Sequence, residues 1–362
     1  MPTALAPLAA HPTLERVRNG RNIRLIGFGE MFRQPIVKGN FAVVAFNARN
    51  FPLPKPGGYE EGYIGPSTVT PILRVARALE APVVFEVAHS EFGSEKKPYT
   101  GIITRNGMEQ GVKLVVTHIL AEYERLKMAG IPIGIHYDHG SSAEIMKACI
   151  EAGFTSVAMD GGDQKSWADL TGKAREWVEY CHPKGVGVEG EIETVGGQNP
   201  TEPEQAIKFA QETGVDVLVV TLKDNKHGSV PGTSVMEEER LAAVRQALPD
   251  MPVNLHGGSG FALHTLTRAS MRGLFQKLNY ATLVYEEMVK AVPGWLEILN
   301  MVAGKPKGTR PKEGRDQLAL TDPLLRLMTP EVVAAAEAAA EKAAGAVMQA
   351  VGNVRTAQYY SV

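Results

Sequence analysis

The sequence predicts an α/β fold in which parallel strands close into a barrel, and three observations carry that expectation. Strand-like and helix-like segments alternate along most of the 362 residues, as they do in a parallel sheet with helical crossovers. Eight such units follow one another. Three apolar runs, at 131–140, 217–228 and 253–260, each carry a histidine followed by glycine at their far end, which would bring His139, His227 and His256 to the C-terminal rim of a common barrel. A TIM (β/α)8 barrel is therefore the first expectation, with a doubly wound open sheet as the alternative.

The strands are read at 42–46, 82–87, 131–136, 155–159, 186–191, 215–221, 252–256 and 274–279, all short runs rich in Val, Ile, Leu and Phe. Amphipathic helices are expected between and after them, at 67–80, 108–129, 141–152, 167–182, 203–213, 235–248, 262–272 and 282–300. Thr201-Glu202-Pro203-Glu204 carries helix-start chemistry, with an N-cap, a Pro in the first turn and acidic residues. Residues 50–66 are rich in Pro and Gly and too long for an ordinary connection, so a lid or partner contact is expected there. A polar linker at 304–317 leads to an Ala-rich helix at 330–350, opened by Thr329-Pro330-Glu331. One domain is expected: an N-terminal extension (1–39), a barrel core (about 40–300), and a C-terminal linker and helix (304–352). The last helix should pack on the barrel or on a neighbouring subunit.

Composition excludes several classes. The hydrophobic share is 44%, the charged share 22% and the formal net charge −2, so there is no basic surplus to hold nucleic acid or an anionic membrane. No apolar stretch approaches the length of a membrane span. The N-terminus has a short Ala/Leu run without a preceding charged region, a poor signal peptide. The two cysteines, Cys149 and Cys181, fall in helix-like segments and make no disulfide framework. A cytoplasmic protein is expected.

A lone histidine is usually a structural residue, but three at equivalent strand ends, each beside a glycine that lets backbone approach a ligand, point to a metal. Three neutral imidazoles leave coordination positions open, as a catalytic ion requires. Zinc suits this ligand set, with cobalt or iron as alternatives. Asp138 precedes His139 and reads either as a general acid/base beside the ion or as a carboxylate orienting a ligand histidine. HGGSG (256–260) and KLNYAT (277–282) stand after the seventh strand and at the eighth, where such barrels often hold phosphate on glycine N–H groups and a hydroxyl.

These motifs, together with AFN (45–47), HYDHGSS (136–142), AGFTSVAMDGG (152–162), VGVEGE (186–191), ETGVDVLVV (212–220) and the His227-Gly228 pair, resemble those of the class II, metal-dependent ketose-bisphosphate aldolases. The match spans roughly 40–300, and the GKPKG and DPLLRL segments resemble the family's C-terminal part. The resemblance implies that His139, His227 and His256 bind the catalytic metal, with Glu191 near the ion as an alternative ligand. Asp138 would move the proton of the hydroxyl beside the breaking bond. Asn47, Gly228, Gly257, Gly258, Ser259, Asn279 and Thr282 would bind the substrate and its phosphate, a site at which a monovalent cation is also compatible. The implied reaction is aldol cleavage or formation of a ketose phosphate through the enediolate of dihydroxyacetone phosphate, without a lysine Schiff base. A homodimer or homotetramer is the implied assembly, and a small sugar phosphate the implied partner.

Departures cluster on the aldehyde side. Gln198 and Asn199 stand where the family carries an acidic pair on a long loop, and an amide is no base; Glu91, Glu193 and Glu202 are the candidate substitutes. Ala88, Ala281 and Leu324 stand where a serine, an acidic or amide residue, and an arginine are expected. Losing two or three charge-assisted contacts, at about 1.5–3 kcal/mol each, would weaken binding of a second phosphate by powers of ten, and His89 and Glu91 could instead read a different tail. The expected activity is thus an aldolase with an altered acceptor. The alternatives are fructose-1,6-bisphosphate aldolase proper, a metal-dependent epimerase using retro-aldol chemistry, and, against the intact His/His/His/Asp set, a non-catalytic relative.

Overall fold

A computed structural model describes residues 23–48, 67–88, 108–128, 130–140, 142–161, 166–192, 200–223, 229–302 and 329–360. The strands β1 (Val43–Asn47), β2 (Val83–Ala88), β3 (Ile133–Gly140), β4 (Ser156–Met159), β5 (Gly187–Glu191), β6 (Val217–Val219), β7 (Val253–Leu255) and β8 (Lys277–Asn279) form a closed parallel barrel in chain order. Closure is made by β8 on β1, with Val43 opposite Lys277 and Ala45 opposite Asn279. Every residue of β1, β2 and β5 is buried, as strands covered on both faces must be.

The helices are α1 (Phe28–Lys38), α2 (Val69–Ala78), α3 (Met108–Arg125), α4 (Ala143–Ala152), α5 (Trp167–Cys181), α6 (Pro203–Thr213), α7 (Glu238–Ala247), α8 (Leu263–Met271), α9 (Thr282–Ala291), α10 (Trp295–Val302) and α11 (Pro330–Ala350). Ser142, Ser166 and Thr329 cap α4, α5 and α11, each accepting a backbone N–H three residues on. At α6 the expected cap is displaced: Pro203 takes the first turn, Glu202 precedes it, and the Thr201 hydroxyl accepts from Thr221 N at 3.0 Å instead. The helix expected over 282–300 is two helices, because Pro293 lacks an N–H and Gly294 turns left-handed at φ +81°. Cys149 and Cys181 are buried free thiols on α4 and α5. No described helix is long and apolar enough to cross a membrane.

α1 has no counterpart among the expected elements. It follows from Phe28, Met31, Phe32 and Pro35, which share one buried face at helical spacing. The residues just before it attach to the start of β3, where Ile26 N donates to Ile133 O and Ile133 N to Arg24 O, both at 2.9 Å. Phe28 thereby closes the N-terminal end of the barrel: its ring stacks 4.7 Å from that of His136 and meets Phe32 edge-on at 4.9 Å.

α11 settles on its own barrel, across α2, α8 and α9. Its alanines supply the thin face that allows close approach, with Ala336, Ala340 and Ala344 fully buried. Arg74 of α2 reaches Glu337 at 3.0 Å and Glu341 at 2.9 Å. Beyond the helix, Ala42 N and the Ser270 hydroxyl both donate to Val351 O, and Tyr360 donates its hydroxyl to Met31 O at 2.7 Å. The segments 50–66 and 304–317, expected as a lid and a linker, lie outside the described residues.

A Cβ placed on Gly187 would lie 2.7 Å from Phe28 Cβ, so the floor depends on glycine there. Gly187→Ala is expected to destabilise the fold by about 1–3 kcal/mol, read as a lowered midpoint in urea unfolding.

Candidate active site

Successive strand residues face opposite sides, and in this barrel the inward positions form two polar tiers. The inner tier holds Glu86 (β2), His136 (β3), Glu189 (β5), Asn254 (β7) and Lys277 (β8), all buried. Two residues further along the same strands, the mouth tier holds Ala88, Asp138, Glu191, His256 and Asn279.

Lys277 organises the inner tier. Its Nζ lies 2.8 Å and 3.1 Å from the two oxygens of Glu189 and 3.7 Å from Glu86 Oε2, with the Phe28 ring 5.3 Å away. Asn254 donates to Glu189 Oε1 at 3.0 Å, and His136 Nδ1 meets the Ser156 hydroxyl at 2.9 Å. Burial alone would drive a proton off Lys277, but Glu189, Glu86 and Asp138 outweigh it and hold the ammonium above its ordinary range. Burial would likewise raise Glu189, yet Lys277 and His136 hold it well below the usual carboxylate range. Burial, with Asp138 and Glu189 nearby, pushes Glu86 well above it. The two glutamates are therefore biased in opposite directions, Glu189 towards the anion and Glu86 towards the neutral acid.

At the mouth, β3 runs on past its expected end through a register shift between Tyr137 and Gly140. His139 there adopts φ +53°, a left-handed conformation uncommon for a side-chain-bearing residue. The irregularity lets neighbours in sequence face the same cleft: Asp138 Oδ2 lies 3.6 Å from His139 Nε2. On its other side His139 Nδ1 lies 3.5 Å from Asp160 Oδ2 and 3.6 Å from Glu191 Oε2. The rings of His139 and His256 are 5.2 Å apart and nearly perpendicular. The glycine beside His139 has a different role from the one its position suggests: a Cβ on Gly140 would lie 2.2 Å from Ala158 O, so it admits the backbone of β4 rather than a ligand.

Charges at the mouth are strongly skewed. Burial lowers His139, but Asp138, Asp160 and Glu191 overcome it and keep the imidazole well above its ordinary value. Asp138 is held low despite burial, chiefly by His139, His256 and Lys277. Burial pushes Glu191 well up, and Asp160, Asp138 and Glu189 add to the effect. Burial pushes His256 down towards the neutral form. Its Nε2 lies 3.5 Å from Glu189 Oε1, while its Nδ1 is buried without a hydrogen-bond partner among the described residues.

Ligand atoms of Asp138, His139 and His256 lie within 4.8 Å of one another, as do those of His139, Asp160 and Glu191. This is the spacing, and the mixture of imidazole and carboxylate, that can chelate a divalent metal. Of the residues expected at the site, Asp138, His139, Glu191 and His256 come together. His227 and Gly228 lie outside the described residues, as do Gln198, Asn199, His89, Glu91, Glu193 and Leu324.

The described residues among those expected to hold phosphate lie at the C-terminal ends of β1, β7 and β8 and at the start of α9. Gly257 is left-handed at φ +63° and opens a tight turn over Gly258–Gly260, and Gly258 packs against β8, where a Cβ would lie 2.7 Å from Asn279 O. Ser259 accepts from Leu283 N at 3.3 Å, in the first turn of α9. Thr282 begins that helix after Ala281, which supplies no side-chain cap. Asn279 Oδ1 is buried and without a partner among the described residues. Asn47 ends β1, the neighbour of β8, where its carbonyl accepts from Thr68 and Tyr285. Glu202, one candidate for the missing loop acid, pairs with Arg240 at 3.2 Å and has a 56% exposed side chain.

Sequence reasoning passed over Asp160, Glu189, Lys277, His136 and Asn254. A usable signal was present: in HYDH, EGE, NLH and KLN a polar residue stands two places before each mouth residue, so both must face inward.

A family profile described as fructose-bisphosphate aldolase class-II matches residues 62–356. The fructose-bisphosphate aldolase of Geobacillus stearothermophilus is 29% identical over 277 residues, covering 74% of this chain and 84% of the relative. That of Streptococcus pyogenes serotype M3 is 31% identical over 264 residues, covering 70% and 78%. Among solved structures, the YdjI aldolase of Escherichia coli K12 superposes with a TM-score of 0.62 at 20% identity, covering 91% of this chain and 98% of that one.

Lys277→Met would strand Glu189 as a buried anion and is expected to lower the unfolding free energy by about 3–5 kcal/mol. Removing the pair together, Lys277→Met with Glu189→Gln, should recover most of that loss. Urea titrations of both variants check the difference.

Proposed function

Since the chain belongs to the class II fructose-bisphosphate aldolase family, we propose that it is a metal-dependent aldolase that cleaves and forms fructose 1,6-bisphosphate, with its metal and acid/base groups at the mouth of the barrel. The observation that carries this reading is the convergence of Asp138, His139 and His256 on ligand atoms within 4.8 Å. It fits a divalent cation on local grounds too, because the buried Nδ1 of His256 has no other partner among the described residues. His139 and His256, together with His227, are the proposed ligands, and Glu191 the alternative one. Zinc is the ion this donor set favours, with cobalt or iron able to replace it. Bound there, it would supply Lewis acidity towards the ketose carbonyl and the neighbouring hydroxyl.

Asp138 is the proposed general base. Held ionised by the imidazoles and Lys277 around it, its carboxylate accepts the proton of the hydroxyl beside the breaking carbon–carbon bond and returns it in the reverse direction. Gly228, Gly257, Gly258, Ser259, Asn279 and Thr282 are the proposed cradle for the phosphate of dihydroxyacetone phosphate, with Asn47 at its edge. The N-terminus of α9 adds N–H groups whose partial positive charge favours an anion.

The names of the relatives favour fructose 1,6-bisphosphate over the altered acceptor that the sequence suggests. A second reading retains support from Ala88 and Ala281: both are small and buried at the mouth, where neither can bond a second phosphate. The two separate in one experiment, a panel of phosphorylated ketoses with Zn²⁺ or Co²⁺ scored for release of triose phosphate and for ketose interconversion. Cleavage of fructose 1,6-bisphosphate is expected. Cleavage confined to another ketose would shift the assignment to the second reading, and interconversion without release would refute both.

Asp138→Asn is expected to reduce kcat by about 10²–10⁴-fold, measured in the same coupled assay. His139→Ala and His256→Ala should abolish turnover and metal uptake together.

A further inference from the structure

We propose that Glu189 is the positioning residue for His256: anchored by Lys277 and Asn254, its carboxylate holds the imidazole proton on Nε2 and so leaves Nδ1 as the nitrogen offered to the metal. This inference rests on the metal-site reading above and goes beyond it by assigning the group that orients the ligand.

Glu189 is fully buried and its own orientation is over-determined. Lys277 contacts both of its oxygens, and Asn254 donates to Oε1 at 3.0 Å. Asn254 stands two residues before His256, so β7 delivers both the ring and the amide that pins the carboxylate facing it. A neutral imidazole has one donor and one acceptor nitrogen, and the partner of one decides the role of the other. With Nε2 3.5 Å from Glu189 Oε1 and Nδ1 buried without a partner among the described residues, the ring carries its proton towards Glu189 and its lone pair away from it.

Neighbouring groups do not take over this role. His136 Nε2 also approaches Glu189, at 3.6 Å, but its Nδ1 is already engaged by Ser156. His136, Asp138 and Glu189 have ligand spacing themselves, yet the cation seated on Glu189 is the Lys277 ammonium, which makes that trio a support rather than a second metal centre.

The test is zinc affinity, measured by competition with a chromophoric chelator, for the wild-type protein and for Glu189→Gln/Lys277→Met. That pair of substitutions removes the charges together, so the metal-free variant should melt close to the wild type. Its zinc affinity is expected to fall by roughly 10–100-fold. Unchanged affinity would overturn the proposal, whereas a wild-type protein with no zinc affinity would overturn the reading of the site on which it rests. Should the double variant not fold, a crystal structure of the zinc-loaded wild type decides: Nδ1 of His256 towards the ion supports the proposal, and Nε2 towards it refutes it.

Discussion

An ammonium ion sealed inside a protein must be answered by a charge, and Lys277 is such an ion. Withdrawing it from water costs several kcal/mol that only close, well-directed partners return. Glu189 supplies them through both oxygens, and Asn254 fixes the carboxylate in place. TIM barrels more often fill this space with layered aliphatic side chains; here the filling is polar and its geometry specific. The Phe28 floor beneath it keeps solvent out and thereby keeps these interactions strong. The mouth of the barrel is built on this tier.

One level higher, three carboxyl groups and two imidazoles share a small volume. Their protonation follows from mutual repulsion and attraction: Asp138 stays an anion between two histidines and Lys277, whereas Glu191, beside Asp160 and Asp138, is driven towards its neutral form. A divalent cation would reorganise such a set, since it pulls every nearby carboxyl towards ionisation. The geometry that allows this originates in the backbone. The irregular end of β3 turns His139 left-handed and brings it round to the face that already holds Asp138, so one strand contributes both a proposed ligand and the proposed base.

Much of this was legible in the sequence for reasons that can be named. Eight alternating units fix the order of the barrel strands, and His139 and His256, at the ends of β3 and β7, arrive at the same rim. The Asp138–His139 pair was readable as a shared cleft, although its cause, a positive φ within β3, was not. α1 escaped notice because its apolar face spans only two turns and contains Pro35. The Lys277–Glu189 contact joins residues 88 apart, and no local pattern pairs them. What could have revealed it is the alternation rule, which sends Glu189 inward with Glu191 and Lys277 inward with Asn279. The glycine of His139-Gly140 shows the opposite error: its position beside a histidine suggests backbone open to a ligand, while the space is filled by a neighbouring strand.

The hydrogen bond from Tyr360 to Met31 joins residues 329 positions apart. During synthesis the barrel floor therefore waits for its last fastener until nearly all the described chain has been made. Contacts of such long range pay their loop-closure entropy late and slow folding. In the interim α1 lacks that latch, and its Phe28 and Phe32 must find β3 and β5 before they find other apolar surfaces.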